Sequence, residues 1–530
     1  MAKPAKVNVC IIGSGAGGSV VAKELGEQGI SVVVLEAGRR FDPLRDFNVV
    51  TSNDWERMAR EHTEKFKMPK MDRVTINNSN LGRPMEAFGV GGSTLRYLAE
   101  YVRFLPDDFR IRTADSVGVD WPLTYEDLSP YYRKVELELA VSGKGGDYWF
   151  PDIDQYGNPP FEFAFHSKIM EKSFNKLGMH LWPLPVARLS RPFEGRPACV
   201  NCGYCGYGCM IKAKSSADVT YIAKAESTGN VEIRPESVTT HIKINSQGKI
   251  KSVIYADKNG LEHEQEAEIV IVSAGSIQSP RILLNSKSSL FPDGLANSSG
   301  MVGKNYMIHT YISSSALLPD RVDSFRGHAG AISLDYARTN KNNPFARGFS
   351  MKPKSNLTGP AKTAINTAGW GLQHKDYMRK NFGHIVGMNA IGEQLPEERN
   401  CVELDPEAVD DYGMPVPRIT FKLNENDKLI IAAMKKKMHE IYSAAGASDV
   451  EINERENFEP AHNMGTCRMG KDPRTSVLNS FCQSHDVKEL FVIDASCFVS
   501  SSTSNPSLTI QAIAKRSAEY IIHEVKKGNL

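Results

Sequence analysis

Four of the chain's nine cysteines fall within eleven positions, CVNCGYCGYGC at 199–209. Cys199, Cys202, Cys205 and Cys209 follow the spacing C-x2-C-x2-C-x3-C, dense enough to wrap one compact cluster, and the run matches ferredoxin-type iron–sulfur ligation. No proline follows Cys209 as it would in a ferredoxin, and the first three spacings also permit a three-iron cluster with one cysteine spare. A 4Fe-4S cluster is the favoured expectation, with 3Fe-4S open. A zinc site usually separates its two CxxC knuckles by a longer loop and fits less well. Disulfides across two residues would be strained and would close loops too small to stabilise much. Structural or free thiols are the remaining alternative.

A second group of residues could hold a dinucleotide. The apolar run VNVCII (7–12) leads directly into Gly13-Ser-Gly15-Ala-Gly17-Gly18, then a helical pattern, SVVAKELGEQG, then a second apolar strand that ends at Glu36. This is a full βαβ unit with an acidic residue closing the second strand. Gly13 permits the tight turn, Gly15 lets the backbone approach a pyrophosphate, and Gly18 brings helix and strand together. The helix N-terminus favours phosphate charge, and Glu36 can accept both ribose hydroxyls. The unit alone does not separate NAD from FAD. Its N-terminal position, the ending VVVLEAG and a second glycine cluster, FGVGGSTLRY (88–97), lean towards FAD. Within that cluster Gly91, Gly92 and Ser93 are the candidates for covering the flavin end.

These residues need a large framework. A chain of 530 residues is too long for one core and predicts two domains built from interleaved segments. Composition is that of an ordinary globular protein, 41% hydrophobic and 24% charged, and a net charge of +2 gives no reason to expect nucleic acid or an anionic membrane as partner. No apolar run is long enough to cross a bilayer. MAKPAKVNVCIIG runs straight into glycines and reads as a first strand, not as a signal peptide. Cys10, Cys401, Cys467, Cys482 and Cys497 are scattered and read as free core thiols.

Along the chain, residues 40–80 are polar with weak periodicity. WPLTYEDLSPYYRKVELEL predicts a helix starting near Ser129-Pro130. SKIMEKSFNKLG puts Met170, Phe174 and Leu177 on one helix face and ends at Gly178. VEIRPESVTTHIKIN, KIKSVIYADK and AEIVIVSAGS read as successive strands, and AGSIQSPRILLNS as a turn into a helix. The span 305–425 is mixed and strand-rich. NENDKLIIAAMKKKMHEIYSAAG is an amphipathic helix with Ile430, Met434, Met438 and Ile441 inward.

EPAHNMGTCRMG (459–470) lacks either apolar period and is predicted as a loop. LFVIDASCFVSSSTSNPSLTIQAIAKRSAEYI then reads as a strand ending at Asp494, a serine-rich loop and a helix with Asn505 as N-cap and Pro506 at N1. A helix starting at a flavin would aim its positive end at negative charge there. By residue type alone, His462 is an ordinary loop histidine, Asn505 a cap and Asp494 a turn residue.

Five ordered motifs, GSGAGGSVVAKEL…VVVLEAG, FGVGGSTL, AGSIQSPRILL, HNMGTCRMG and DASCFVSSSTSNPSLTIQAIA, resemble the glucose-methanol-choline (GMC) oxidoreductases, at suitable spacing and over nearly the whole chain. The match is weakest across 40–80 and 310–390. The resemblance implies an α/β fold in which a Rossmann-like FAD-binding domain is interleaved with an α+β substrate-binding domain. Segments 1–100, 200–305 and 455–530 would form the first, and 101–199 with 306–454 the second. It implies oxidation of an alcohol to a carbonyl by hydride transfer to FAD. His462, in the HxxGTxRMG motif, matches the family's catalytic histidine, and Asn505 the second active-site position, His or Asn in the family. Glu36 and the three glycines match ADP contacts, Val238 lies where a strand backbone meets the adenine, and Asp494 and Pro506 belong to the cofactor domain. Where the family often has Asn, or a flavin-linked His, this chain has Tyr97, so a covalent flavin is not expected there.

Those residue types suit the reaction. Imidazole titrates near neutrality, so His462 can take the hydroxyl proton, while Asn505 can hold the substrate oxygen. Reduced flavin holds two electrons and a cluster accepts one at a time, so the cysteine loop would be an electron exit. With that loop the chain looks most like the bacterial FAD-dependent sugar dehydrogenases (glucose, gluconate, fructose and glucoside 3-dehydrogenase types). The resemblance implies a sugar or glycoside substrate, a small chaperone-like subunit that carries the export signal, and a cytochrome c subunit. Periplasmic work by co-export is then expected, with a cytoplasmic enzyme as the other possibility. Long-chain alcohol oxidases carry a CGxCGxGC-like stretch too, so an oxidase using O2 with structural cysteines is the competing expectation.

Overall fold

The computed structural model describes residues 6–48, 64–68, 73–77, 81–325, 330–354, 363–365, 367–453 and 460–530. Much of the polar stretch 40–80 therefore lies outside the described residues. Lys6–Ile12 forms the predicted first strand, with Val9, Cys10 and Ile11 fully buried, as expected for a strand covered on both faces. It pairs in parallel with Val32–Leu35 on one side and with Glu262–Val272 on the other, so that Ile12 lies opposite both Leu35 and Val272. The sheet has seven strands. Its path runs Val231–Arg234, Val32–Leu35, Lys6–Ile12, Glu262–Val272, Ile250–Ala256, Val238–Ile244, and Leu490–Val492 pairs in parallel with the end of Glu262–Val272. Val238–Ile244 and Ile250–Ala256 are antiparallel additions. Helices Ala16–Glu27 and Ser507–Lys526 pack against each other over this sheet's core.

A second, four-stranded antiparallel sheet runs Phe349–Lys354, Ile385–Gly392, Thr310–Leu317, Ser448–Ile452. Helix Glu425–Ala444 packs against it, and Ile430, Met434, Met438 and Ile441 are fully buried, as their spacing predicts. The two sheets anchor two hydrophobic cores. The chain thus has the expected α/β architecture, a Rossmann-like domain interleaved with an α+β domain. Residues from Ala99 to Ile153 contribute to the first core, not the second. The five scattered cysteines are free and buried.

Two predicted helix starts are corrected. The Tyr125–Glu138 helix begins four residues before Ser129, because Thr124 and Asp127 form a reciprocal capping box that leaves Pro130 inside the helix. The last helix spans Ser507–Lys526 with Pro506 at its N-cap. Asn505 is not its cap, because its amide is engaged by partners from distant segments.

Candidate active site

The parallel strands Lys6–Ile12, Val32–Leu35, Glu262–Val272 and Leu490–Val492 all end at one edge, where open α/β sheets gather their ligands. Beyond that edge lies a cavity of about 760 Å³, lined at one end by Gly13, Gly15, Glu36 and Val238 and at the other by His462 and Asn505. Gly13 has φ +98°, and a Cβ there would stand 2.4 Å from the Ser273 carbonyl oxygen. A Cβ on Gly18 would stand 2.1 Å from the Gly13 oxygen, so this glycine is what lets helix and loop touch. Gly15 differs, since a Cβ there would meet only the Gly92 Cα, at 4.0 Å.

Gly15 caps the Ala16–Glu27 helix without any side-chain hydrogen bond, and Ala16 and Gly17 also line the cavity. The start of that helix therefore faces the cavity without a side-chain cap, the arrangement that receives a diphosphate. The Ser507–Lys526 helix likewise lacks a side-chain cap, and Pro506 and Ser507 line the opposite end. A cavity with an open glycine cradle, apolar lining at Val238, Ile282 and Met414, and a second helix start in its wall fits FAD.

Glu36 is used more fully than its motif suggests. One carboxylate oxygen accepts from the Ser14 N–H (3.0 Å) and hydroxyl (2.6 Å), the other from the N–H groups of Gly38 (2.9 Å) and Gly89 (3.1 Å). Burial raises its pKa and these four donors oppose the rise. It thus ties the two glycine loops together, and ribose hydroxyls would share an occupied carboxylate. Gly91 donates its N–H to the Ser14 hydroxyl at 2.9 Å and does not line the cavity, whereas Gly92 and Ser93 do. Asp494, also in the wall, accepts from Gly275 N–H (2.8 Å), the Ser279 hydroxyl (2.6 Å) and Ser496 N–H (2.7 Å).

At the far end two loops meet. The 460–470 loop brings His462, whose Nδ1 lies 2.9 Å from His309 Nδ1, with the rings edge to face at 78°. The serine-rich loop brings Asn505, whose Nδ2 lies 3.2 Å from His462 Nε2. Lys352 Nζ donates to Asn505 Oδ1 at 3.0 Å and pairs with the Glu100 carboxylate. Burial and then Lys352 push the His462 pKa down to about 4, against Glu100, so its imidazole is neutral at neutral pH. His309 is pushed down by burial, then by His462 and Lys352.

Nearly every hydroxyl of the serine-rich loop is a staple. Ser500 accepts from Trp121 Nε1 (2.6 Å), Ser501 bonds the Gln394 backbone, Ser502 donates to Asp108 (2.6 Å), and Ser504 donates to the Arg103 carbonyl (3.1 Å). The second sheet supplies the remaining wall. Register places Lys352, Asn389 and Ser313 in one row across three strands, and Ile391 beside Tyr311 in the next, all facing the cavity. His309, Lys352 and Glu100 were not anticipated. The signal was a polar or charged residue inside an otherwise apolar run, Lys352 in FSMKPK, His309 in MIHTYIS and Glu100 in LAEYVRFL.

The cysteine loop reaches this cavity through Gly206 and Tyr207. The buried Lys214 ammonium ties it to the glycine loop, donating to the carbonyls of Cys205 (2.7 Å), Leu95 (2.8 Å) and Tyr97 (3.3 Å). Backbone N–H groups of Asn201 and Lys214 point at the sulfurs of Cys199 and Cys209, each at 3.4 Å. All four thiols are free, with Cys205 buried and Cys202 exposed. In kind, four thiols, N–H···S donors and a buried cation suit an iron–sulfur cluster. Among the described residues no three His, Cys, Asp or Glu side chains are gathered so as to hold a metal ion. No helix among them is long and apolar enough to cross a membrane.

Comparison with known proteins agrees with this architecture. Residues 162–311 and 396–514 match the GMC oxidoreductase family, and residues 6–45 match an FAD binding domain. The chain is 34% identical to the 2-methyl-1,2-propanediol dehydrogenase of Mycolicibacterium austroafricanum, over 97% of this chain and 95% of that one. It is 28% identical to the fructose dehydrogenase large subunit of Gluconobacter japonicus, over 98% of each. A crystal structure of formate oxidase shares the fold, with a TM-score of 0.70 at 15% identity over 99% of this chain and 100% of that one.

Proposed function

This chain belongs to the GMC oxidoreductase family, FAD-dependent enzymes acting on CH–OH groups, and from that premise we propose that it is a dehydrogenase of a sugar, glycoside or similar polyol. The observation that carries the substrate class is the polar wall on the second sheet, where Asn389, Ser313 and Tyr311 face the cavity that His462 also lines. A polyhydroxylated molecule leaves few of its hydroxyls unpaired against such a wall. A propanediol dehydrogenase and a fructose dehydrogenase subunit among the relatives support the same class.

FAD would be held by Gly13, Gly15 and Gly18 at the first helix start, with Val238 at the adenine and Glu36 towards the ribose. Gly92, Ser93, Asp494 and Pro506 would frame the flavin end, with Gly91 supporting that loop from behind through Ser14. When bound, FAD supplies the acceptor for the carbon-bound hydrogen and its electron pair. His462 Nε2 takes the hydroxyl proton as that hydride leaves, which yields a carbonyl and accounts for both electrons. One Asn505 N–H is spent on His462, leaving the other for the substrate oxygen, and both residues are held from behind by His309 and Lys352. Since His462 works as the neutral base and its pKa lies near 4, the rate of FAD reduction by substrate should stay level from about pH 5 upward and fall below about pH 4. A stopped-flow pH series whose acid limb lies instead near pH 6.5 would contradict this.

Electrons would leave through an iron–sulfur cluster on Cys199, Cys202, Cys205 and Cys209, 4Fe-4S before 3Fe-4S, towards a cytochrome c subunit. A small chaperone-like subunit and periplasmic work by co-export complete the reading, in keeping with a relative named as a large subunit. Contact of Gly206 and Tyr207 with the cavity supports this exit. A second reading is an oxidase that uses O2 with structural cysteines, and the dispersed thiols favour it. Iron analysis with an EPR spectrum separates the two, since three or four irons per FAD are expected for a cluster. Cys205→Ser should leave FAD reduction by sugar intact and slow transfer to a cytochrome-like acceptor. Iron-free protein that reduces O2 at the expense of alcohol would establish the oxidase instead.

A further inference from the structure

We propose that the buried Lys352–Glu100 pair is a positioning device that fixes the orientation of the Asn505 amide and, through it, the nitrogen that His462 presents to substrate. The proposal rests on His462 being the base. It begins with a burial that calls for a reason. The Lys352 and Glu100 side chains are 6% and 10% exposed, and they come from distant segments, Lys352 on the Phe349–Lys354 strand and Glu100 just after the second glycine cluster. A lone buried ammonium would be strongly unfavourable, so Glu100 makes its presence tolerable. Lys352 then donates to Asn505 Oδ1 at 3.0 Å.

An ammonium has donors only, and that decides everything downstream. Asn505 must present its carbonyl oxygen to Lys352, so its NH2 group faces His462 Nε2 at 3.2 Å. Nε2 must accept and carries no proton. A neutral His462 then keeps its proton on Nδ1, which stands 2.9 Å from His309 Nδ1 and can donate to it. The whole row has one direction: Lys352 to Asn505 to His462, and His462 to His309. The one Nε2 lone pair that Asn505 holds is also the one that must take the hydroxyl proton, so a bound hydroxyl has to displace the Asn505 N–H from it.

Without the ammonium nothing enforces this arrangement. Rotating the amide by half a turn exchanges groups of almost equal size and lets Oδ1 accept a proton from His462 Nε2–H. In that state the base is blocked by its own proton although every side chain remains in place. The charged and titratable groups facing His462 are His309, Lys352 and Glu100, and the two charged ones act on it in opposite senses.

The test uses the full-length FAD-loaded enzyme and the variants K352M, K352R, E100Q and H462A. The first readout is the pH dependence of FAD reduction by a saturating substrate. The second is the 15N spectrum of histidine-labelled protein, with His462 assigned by its loss in H462A. K352M should lower the limiting rate by at least about tenfold with little change in KM, and move the acid limb to higher pH because a nearby cation is gone. E100Q should move that limb to lower pH, and K352R, which keeps a donor-only cation, should keep His462 Nε2 unprotonated. His462 Nε2 should appear unprotonated in the parent and as N–H in K352M. A parent-like rate and limb in K352M, limbs shifted in the same direction by K352M and E100Q, or a protonated Nε2 in the parent would each overturn the proposal. If K352M does not fold, E100Q and the parent spectrum still decide it. Parent-like reduction in H462A would instead sink the assignment of the base, which separates the two failures.

Discussion

Replacing His462 by alanine is expected to slow FAD reduction by substrate by about 10²–10⁴, the usual contribution of a positioned general base. The effect should fall on the limiting rate more than on KM, because a general base at His462 would act on a proton that moves only as the C–H bond breaks. FAD content should be unchanged, since the glycine cradle at Gly13–Gly18 and Glu36 lies at the other end of the cavity from the 460–470 loop. Anaerobic stopped-flow at saturating sugar or diol measures it directly. A loss smaller than tenfold would demote His462 to a supporting role and shift attention to His309, the other imidazole in the same wall.

The largest effect on stability is expected from Arg347→Met. Arg347 is 1% exposed and is the shared partner of three carboxylates, Glu393 through Nε (2.9 Å), Asp115 through Nη1 (2.7 Å) and Asp108 through Nη2. Even with the cation present, burial pushes the Glu393 pKa up to about 8. Removing the guanidinium would leave the three acids facing one another, and breaking a buried pair in this way costs about 3–5 kcal/mol. Uptake of protons by the carboxylates would recover part of that at low pH, so the deficit should grow as pH rises. The damage should reach the active site as well, because Asp108 also accepts the Ser502 hydroxyl at 2.6 Å, three residues before Asn505. Urea unfolding at matched FAD occupancy, with turnover recorded alongside, provides the check. A change under about 1 kcal/mol would show that the cluster is not holding the loop.

The contrast between these two residues marks how far reading the chain could go. His462 stands out only through the ordered motifs around it, since an isolated loop histidine has no local signature. Arg347 and Lys352 carry no motif at all, and their weight comes from partners far away in the chain, 239 residues for Asp108 and 252 for Glu100. Asn505 shows the conflict most plainly. Asn-Pro before a helix is a proper local capping signal. Long-range contacts with Lys352 and His462 override it, and Pro506 takes the cap without a side chain to close it.

By itself the chain determined whatever has a local cause. The βαβ unit around Gly13, Gly15 and Gly18 follows from alternation of apolar strand, glycine turn and amphipathic helix within thirty residues. The inward face of the Glu425–Ala444 helix follows from its period. The order of the motifs likewise pointed to the family. Only the tertiary structure decided that Glu36 spends its carboxylate on two glycine loops, that the cysteine loop reaches the cavity through Gly206 and Tyr207, and that a lysine on the second sheet stands behind Asn505. Each of these depends on sheet register and on the packing of segments hundreds of residues apart. A hydrogen bond is selective for what lies within about 3 Å in space, and separation along the chain leaves no trace of that distance.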